Sequence, residues 1–280
     1  MHITWLLYPI AAVALPIVVL AAWRQFDHAA DNSAWRSLIA LQDRQTAVFD
    51  LSMLDGLPEL AQRYFRYTIE PGTPLCTVME IEMTGQLGLG SKDAPKYQPM
   101  RAHQILSPPH GLVWKLKSGA ISGSDGALPN RSWTRFWLFG VIPVVRASGP
   151  DHRRSAFGRV VAEAAMWAPA SLLPGDHVHW DNTEGDIARA IVSYGDFTQT
   201  VEISLDAKGE PQKVSIQRWS NENPQKTFRL QPFGGELSDF RSYEGYRLPA
   251  HVEGGNYFGT PDYFPFFKAD VTKITCPRPE

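Results

Sequence analysis

The sequence predicts an α+β fold, mainly antiparallel β: a curved, half-barrel-like sheet with a few helices, preceded by one N-terminal transmembrane helix. Three observations predict it. No Lys, Arg, Asp or Glu occurs between Met1 and Trp23. From Thr77 onward the apolar period shortens from that of a helix to that of a strand. Clusters of Gly, Asn and Pro then recur at spacings that suit hairpins, and hairpins make antiparallel sheets.

The N-terminal run from Trp5 to Trp23 is long enough to cross about 30 Å of hydrocarbon at a rise of about 1.5 Å per residue. Trp5 and Tyr8 near one end and Trp23 at the other suit the two membrane interfaces. Pro9 and Pro16 would kink a water-exposed helix but are tolerated inside membranes. A cleaved leader would need a basic start, and only His2 follows Met1, so the segment reads as an uncleaved anchor over residues 1–26. Arg24, Arg36 and Arg44 follow it and no basic residue precedes it, which alone would favour a cytoplasmic domain. The interleaved Asp27, Asp31 and Asp43 weaken that signal.

A helical linker is expected over 27–54, with a helix at 31–50 capped by Asp31, Asn32 or Ser33 and striped by Ala34, Leu38, Leu41 and Val48. The β-rich domain occupies 55–280. It opens with a helix over 57–67, where Pro58 suits the first turn and Leu57, Leu60, Ala61, Tyr64 and Phe65 form the apolar face. The first strand alternates Met79, Ile81 and Met83 against Glu80 and Glu82. Further strands are expected at 98–106, 111–117, 187–194, 197–205, 212–219, 226–231, 236–243, 246–253 and 266–275. Turns are expected at 206–209, 221–224, Gly234-Gly235 and Gly254-Gly255. One further helix runs from about Arg153 to Trp167 and is closed by Pro169. A single curved sheet with helices against one face accommodates this order.

Composition excludes some functions. The net charge of -2 leaves no surplus of cations for nucleic acid. Nine Trp call for a sizeable core or an aromatic-lined cavity. Cys76 and Cys276 have no metal-ligand spacing. Two buried free thiols are the favoured reading; a disulfide joining the start and end of the β domain is the alternative in an oxidising compartment. There is no G-x-S-x-G, P-loop or H-E-x-x-H motif, and no cofactor is implied.

Two stretches carry a resemblance. The segment Arg159 to Leu173 contains Arg159, Glu163, Trp167, Pro169, Leu172 and Leu173, and Trp180 follows. It resembles the Arg…Glu-x-x-x-Trp-x-Pro-x-x-Leu-Leu segment of an uncharacterised bacterial membrane-anchored family, a domain of unknown function (DUF6920/DUF6544-like). That family also tends to begin with a Leu-Pro helix, as at Leu57-Pro58, and the resemblance covers residues 55–280. The stretch Asp239 to Pro249, a Tyr/Phe-Arg strand followed by a Gly turn and a Leu-Pro strand, is similar in type to half-barrel lipoprotein carriers (LolA/LolB-like). The likeness implies a bent antiparallel sheet with helices plugging its concave side, and a domain on the extracytoplasmic side. It implies no activity.

Among residues that could carry chemistry, Glu163 stands first. Arg159, Glu163 and Trp167 share one helical face, and a carboxylate among Ala164, Ala165 and Met166 must be paired or exposed. It reads either as a ligand-binding carboxylate in a concave cavity or, more simply, as a structural pair with Arg159 or Arg218. Trp114, Trp167 and Trp180 read as core, with a lining role as the alternative. His177 and His179 share a strand face near Asp176, Asp181, Glu184 and Asp186, but no third metal ligand is evident, and a solvated edge is the plain reading. Ser122 to Gly126 reads as a turn. The functional expectation is a non-enzymatic, membrane-anchored protein that binds a lipid or other hydrophobic ligand. The rivals are a membrane-tethered hydrolase built on Glu163 and an envelope interaction module.

Overall fold

The structure, a computed structural model, describes residues 4–43 and 47–278, with side chains from Pro16 onward. Helix α1 spans Thr4–Ile39 and α2 spans Glu59–Thr68. Six strands follow: β1 (Met79–Ser91), β2 (Ala94–Ser107), β3 (Gly111–Ser118), β4 (Ile121–Leu128), β5 (Arg131–Leu138) and β6 (Ile142–Ala147). Helix α3 (Pro150–Trp167) leads to seven more: β7 (Val178–Asp181), β8 (Ile187–Tyr194), β9 (Phe197–Leu205), β10 (Pro211–Ser220), β11 (Arg229–Tyr243), β12 (Tyr246–Asn256) and β13 (Phe264–Thr275). Among the described residues all thirteen strands form one antiparallel sheet, in the order β6-β5-β4-β3-β2-β1-β13-β12-β11-β10-β9-β8-β7.

The order has a simple logic. One meander runs from the middle of the sheet, at β1, out to the β6 edge. Helix α3 carries the chain back across the concave face to the opposite edge, at β7. A second meander returns to the middle, where β13 pairs with β1. Helix α3 can make this crossing because its second half, from Val160 to Trp167, is apolar all round except at Glu163. Val160, Val161, Ala162, Ala164, Ala165, Met166 and Trp167 are all buried, as expected of a helix that lies within a core. Its alanines let strands approach on several sides. The Trp167 indole donates to the carbonyl of Pro249 at 3.2 Å, which satisfies its buried N–H.

Alternation along the strands separates two apolar cores. Leu106, Leu112 and Trp114 join the main core with α2 and α3. Their sequence neighbours Ile105 and Val113 point the other way and meet Ala34, Trp35 and Leu38 of α1. Helix α1 therefore packs on the opposite face of the sheet, which corrects the expectation of helices on one face alone. A buried polar cluster holds it there. Asp27 accepts from the Trp137 indole at 3.1 Å and from both terminal nitrogens of Arg146 at 2.8 and 2.9 Å. Arg135 adds a charge at 3.4 Å. Burial alone would raise the pKa of Asp27, but the Arg146 hydrogen bonds and the charges of Arg135 and Arg146 outweigh it and hold the pKa below its ordinary value.

Several expectations change. The helix expected over 31–50 ends at Ile39, and the chain beyond it is extended where Val48 bridges to Pro74. The helix expected at 57–67 and that expected from Arg153 to Trp167 are present as α2 and α3. Ser122 to Gly126 is not a turn but the body of β4. Gly126 is required there because the Trp133 indole of β5 lies where a Cβ would be. Likewise Gly234-Gly235 and Gly254-Gly255 lie within β11 and β12. A Cβ on Gly234 would strike the carbonyl of Val214 on the neighbouring strand. Cys76 and Cys276 are joined, against the favoured reading of free thiols, with their Cα atoms 5.8 Å apart and a sequence separation of 200. They fasten the chain just before β1 to the chain just after β13.

No helix among the described residues is long and apolar enough to cross a membrane. Most of the apolar run read as an anchor falls on side chains outside the described set, and Arg44 lies outside it too.

Two outcomes follow from these fastenings. The Cys76→Ala/Cys276→Ala variant loses about 3–5 kcal/mol, because a very long loop is no longer closed in the unfolded chain; denaturant titration measures it. Asp27→Ala leaves the Arg146 fork and the Trp137 N–H without their acceptor and costs about 2–3 kcal/mol in the same assay. Because the folded pKa of Asp27 is depressed, its contribution is complete above the unfolded value of about 4 and is lost as pH falls below it. Acid titration of the wild type against the variant reads the difference.

Candidate ligand-binding cavity

Helix α3 does not fill the concave side completely. Between it and the sheet lies a cavity of about 310 Å³, within the range of small-molecule sites. Its walls are apolar: Leu87, Leu116, Phe136, Phe233, Val252 and Phe267 from the strands, and Ala162 and Met166 from α3. Trp114 and Trp167 also face it. One region is charged, where Asp125, Arg159, Glu163 and Arg218 line the space.

The charged region is built from opposite elements. Arg159 and Glu163 sit one turn apart on α3, and Nε of Arg159 donates to Oε1 of Glu163 at 2.6 Å. The same guanidinium donates through Nη1 to Oδ2 of Asp125 on β4 at 3.0 Å and lies 5.1 Å over the Trp114 ring. The other oxygen of Glu163 accepts from the side-chain amide of Gln104 at 2.5 Å. Burial disfavours the charge on Arg159, but Glu163 and Asp125 more than compensate and hold its pKa above the ordinary value. Glu163 thus has both oxygens engaged, an arrangement that orients α3 on the sheet and leaves it poorly placed to act as a base.

Arg218, on β10, is different. Its Nε donates to the carbonyl and hydroxyl of Ser155 at 3.2 and 3.1 Å, and its guanidinium stacks 4.7 Å from the Phe233 ring. Its two Nη groups find no acceptor among the described residues. Burial, and then the like charge of Arg159, bring its pKa down to about 10, so it remains cationic at neutral pH. Two further polar atoms are buried without a partner: Oδ1 of Asp125 and the indole N–H of Trp114.

Five of the six residues singled out in the sequence, Glu163, Arg159, Trp167, Trp114 and Arg218, therefore meet at this cavity. Glu163 takes Arg159 as its partner and not Arg218. The sixth, Trp180, lies elsewhere: it packs 5.8 Å from Tyr64 and 5.4 Å from Phe65 and donates to the carbonyl of Leu172 at 2.9 Å. Asp125 and Gln104 were not anticipated. The signal for Asp125 was the alternation of Gly123, Asp125 and Ala127 along β4, which the surrounding Ser and Gly obscured. His177 lies 5.1 Å from the Tyr194 ring and His179 is an exposed partner of Asp181 at 3.5 Å. No group of metal-ligating side chains occurs among the described residues.

Comparison with known proteins gives one family model and several solved structures of low identity. A family model, "Family of unknown function (DUF6544)", matches residues 47–269. No curated protein matches the sequence. Among solved structures, a LolA superfamily protein from Nitrosomonas europaea is 10% identical, covers 77% of this chain and 90% of its own, and superposes with a TM-score of 0.43. A putative outer membrane lipoprotein-sorting protein domain from Vibrio parahaemolyticus is also 10% identical, covers 80% and 91%, and has a TM-score of 0.36.

Trp167 is both lining and core, being 1% exposed and bonded to Pro249. Trp167→Ala is expected to cost about 3–5 kcal/mol in thermal or denaturant unfolding. Unchanged stability would mean that its role is confined to the cavity.

Proposed function

This chain belongs to that family of unknown function (DUF6544), and we propose that it is a membrane-anchored, non-enzymatic binding protein that takes a lipid or other hydrophobic ligand between α3 and the concave sheet. The observation that carries this reading is the cavity itself: an apolar space of about 310 Å³ with charged side chains gathered in one region of its wall. An empty space of that size lined by Leu, Phe, Val and Met forfeits dispersion contacts that an apolar ligand would restore. A hydrolase is less well supported, because the oxygens of Glu163 are held by Arg159 and Gln104. An interaction module would have no use for the cavity.

The anchor reading is supported by the charge-free run from Met1 to Trp23. The extracytoplasmic reading is supported by the Cys76–Cys276 disulfide, since such bonds persist in oxidising compartments. It outweighs the bias of Arg24, Arg36 and Arg44, which a translocated domain can override.

The test is native mass spectrometry of the full chain, extracted from membranes in mild detergent. The expected result is a retained lipid-sized adduct. It is lost on Ala162→Leu, which adds apolar atoms to the cavity wall, while the melting temperature stays within a few degrees. A bare mass for the wild type, with no shift on lipid titration, would sink the carrier reading. Alkaline extraction of the same membranes tests the anchor: the chain is expected to stay in the pellet.

A further inference from the structure

The charged region is not a dead end. A second chamber of about 280 Å³ shares Asp125, Arg159, Arg218 and Phe266 with the apolar cavity. Beyond them it is bordered by Leu112, Val145 and Phe228 but also by His152, Asn221, Glu222 and Asn256, which make it the more polar of the two. The shared residues stand where an apolar space meets a more polar one. A molecule occupying both would be an amphiphile, with its tail among Leu116, Met166 and Phe267 and its head against Arg218 and Asp125.

Charge bookkeeping narrows the head. Arg159 and Arg218 balance Asp125 and Glu163. Glu222 is paired with Lys226 at 3.2 Å. His152 is neutral at neutral pH, because burial depresses its pKa; it exchanges hydrogen bonds with Ser132 at 2.7 Å and Thr134 at 3.0 Å. The site has no net charge to offer a purely anionic group. It does offer both halves of a dipole: the Nη donors of Arg218, whose hydrogen bonds to Ser155 use only Nε, and the buried, unpaired Oδ1 acceptor of Asp125. A buried acceptor without a partner is costly, and a ligand that donates to Asp125 while accepting from Arg218 relieves that cost.

We propose that Arg218 and Asp125 form a head-group site for a zwitterionic amphiphile, one whose acidic oxygen accepts from Arg218 and whose ammonium or amine donates to Asp125. Phosphatidylethanolamine has this chemistry. Phosphatidylcholine keeps the charges but lacks the N–H donor, and phosphatidylglycerol keeps the acidic oxygen but carries net charge. The site deepens the carrier reading and rests on it.

The experiment offers the full-length chain an equimolar mixture of these three lipids in mixed micelles and weighs the retained adducts by native mass spectrometry. Wild type is expected to favour phosphatidylethanolamine over either competitor by roughly tenfold, the effect of one charge-assisted hydrogen bond. Asp125→Asn is expected to abolish the preference over phosphatidylcholine. Arg218→Gln is expected to abolish retention of all three through the head while Arg218→Lys, which keeps the charge if the glutamine variant does not fold, restores part of it. Retention of the three lipids in equal amounts, or a preference for phosphatidylglycerol, would overturn the head-group site and leave the apolar cavity's role standing. Retention of none by the wild type would instead remove the carrier reading itself.

Discussion

The pairing of β1 with β13 is the constraint on which the rest of the molecule depends. Every other strand pairing joins neighbours in sequence and needs only a hairpin. This one brings together strands from opposite ends of the domain, and without it the two meanders would be separate sheets with open edges. The disulfide closes the same junction from outside the sheet, across 200 residues. Once the meanders share a centre, α3 has only one route between their outer edges, over the concave face. The apolar residues around its circumference are the sequence's accommodation to that route.

The concavity depends on residues that look like interruptions. A long strand needs places where a neighbouring backbone or ring can come close, and Gly126 and Gly234 provide them opposite Trp133 and Val214. Gly234 and Gly254 also line the cavity, where the absence of a side chain leaves space.

These glycines explain what the sequence made legible and what it did not. Strands with clean alternation, such as Met79 to Met83, and the apolar stripe of α2 were readable because one face is buried and the other is not. Strand β4 was hidden, since Ile121 to Leu128 contains five small or polar residues in succession, Ser122 to Gly126, and its partner face is covered by an indole rather than by aliphatic pairs. With β4 unread, Asp125 had no reason to be placed near α3. Glu163, Arg159 and Trp167 could be grouped because helical spacing alone puts them on one face. Trp180 was grouped with them as a tryptophan that follows the same segment, and neither its type nor its place in the chain carries a direction. The second apolar core was missed for a related reason: Ile105 and Leu106, or Leu112 and Val113, read as continuous apolar runs, and such runs signal burial on both faces without saying what covers the second.

Both faces of the sheet are in use, and strand β5 joins the two uses. Its Arg135 and Trp137 face α1, where they meet Asp27, while Thr134 and Phe136 face the other way, toward His152 and the cavity. A side chain cannot shift on one face of a strand without moving the backbone that carries the other. Helix α1 is continuous from Thr4 to Ile39, and Trp23 and Arg24 already touch the sheet, at Trp137 and Ser122. From Trp23 to Leu38 it is fixed to the strands that wall the cavity. The interaction of Asp27 with Arg146 therefore belongs to the shape of the cavity wall as much as to stability.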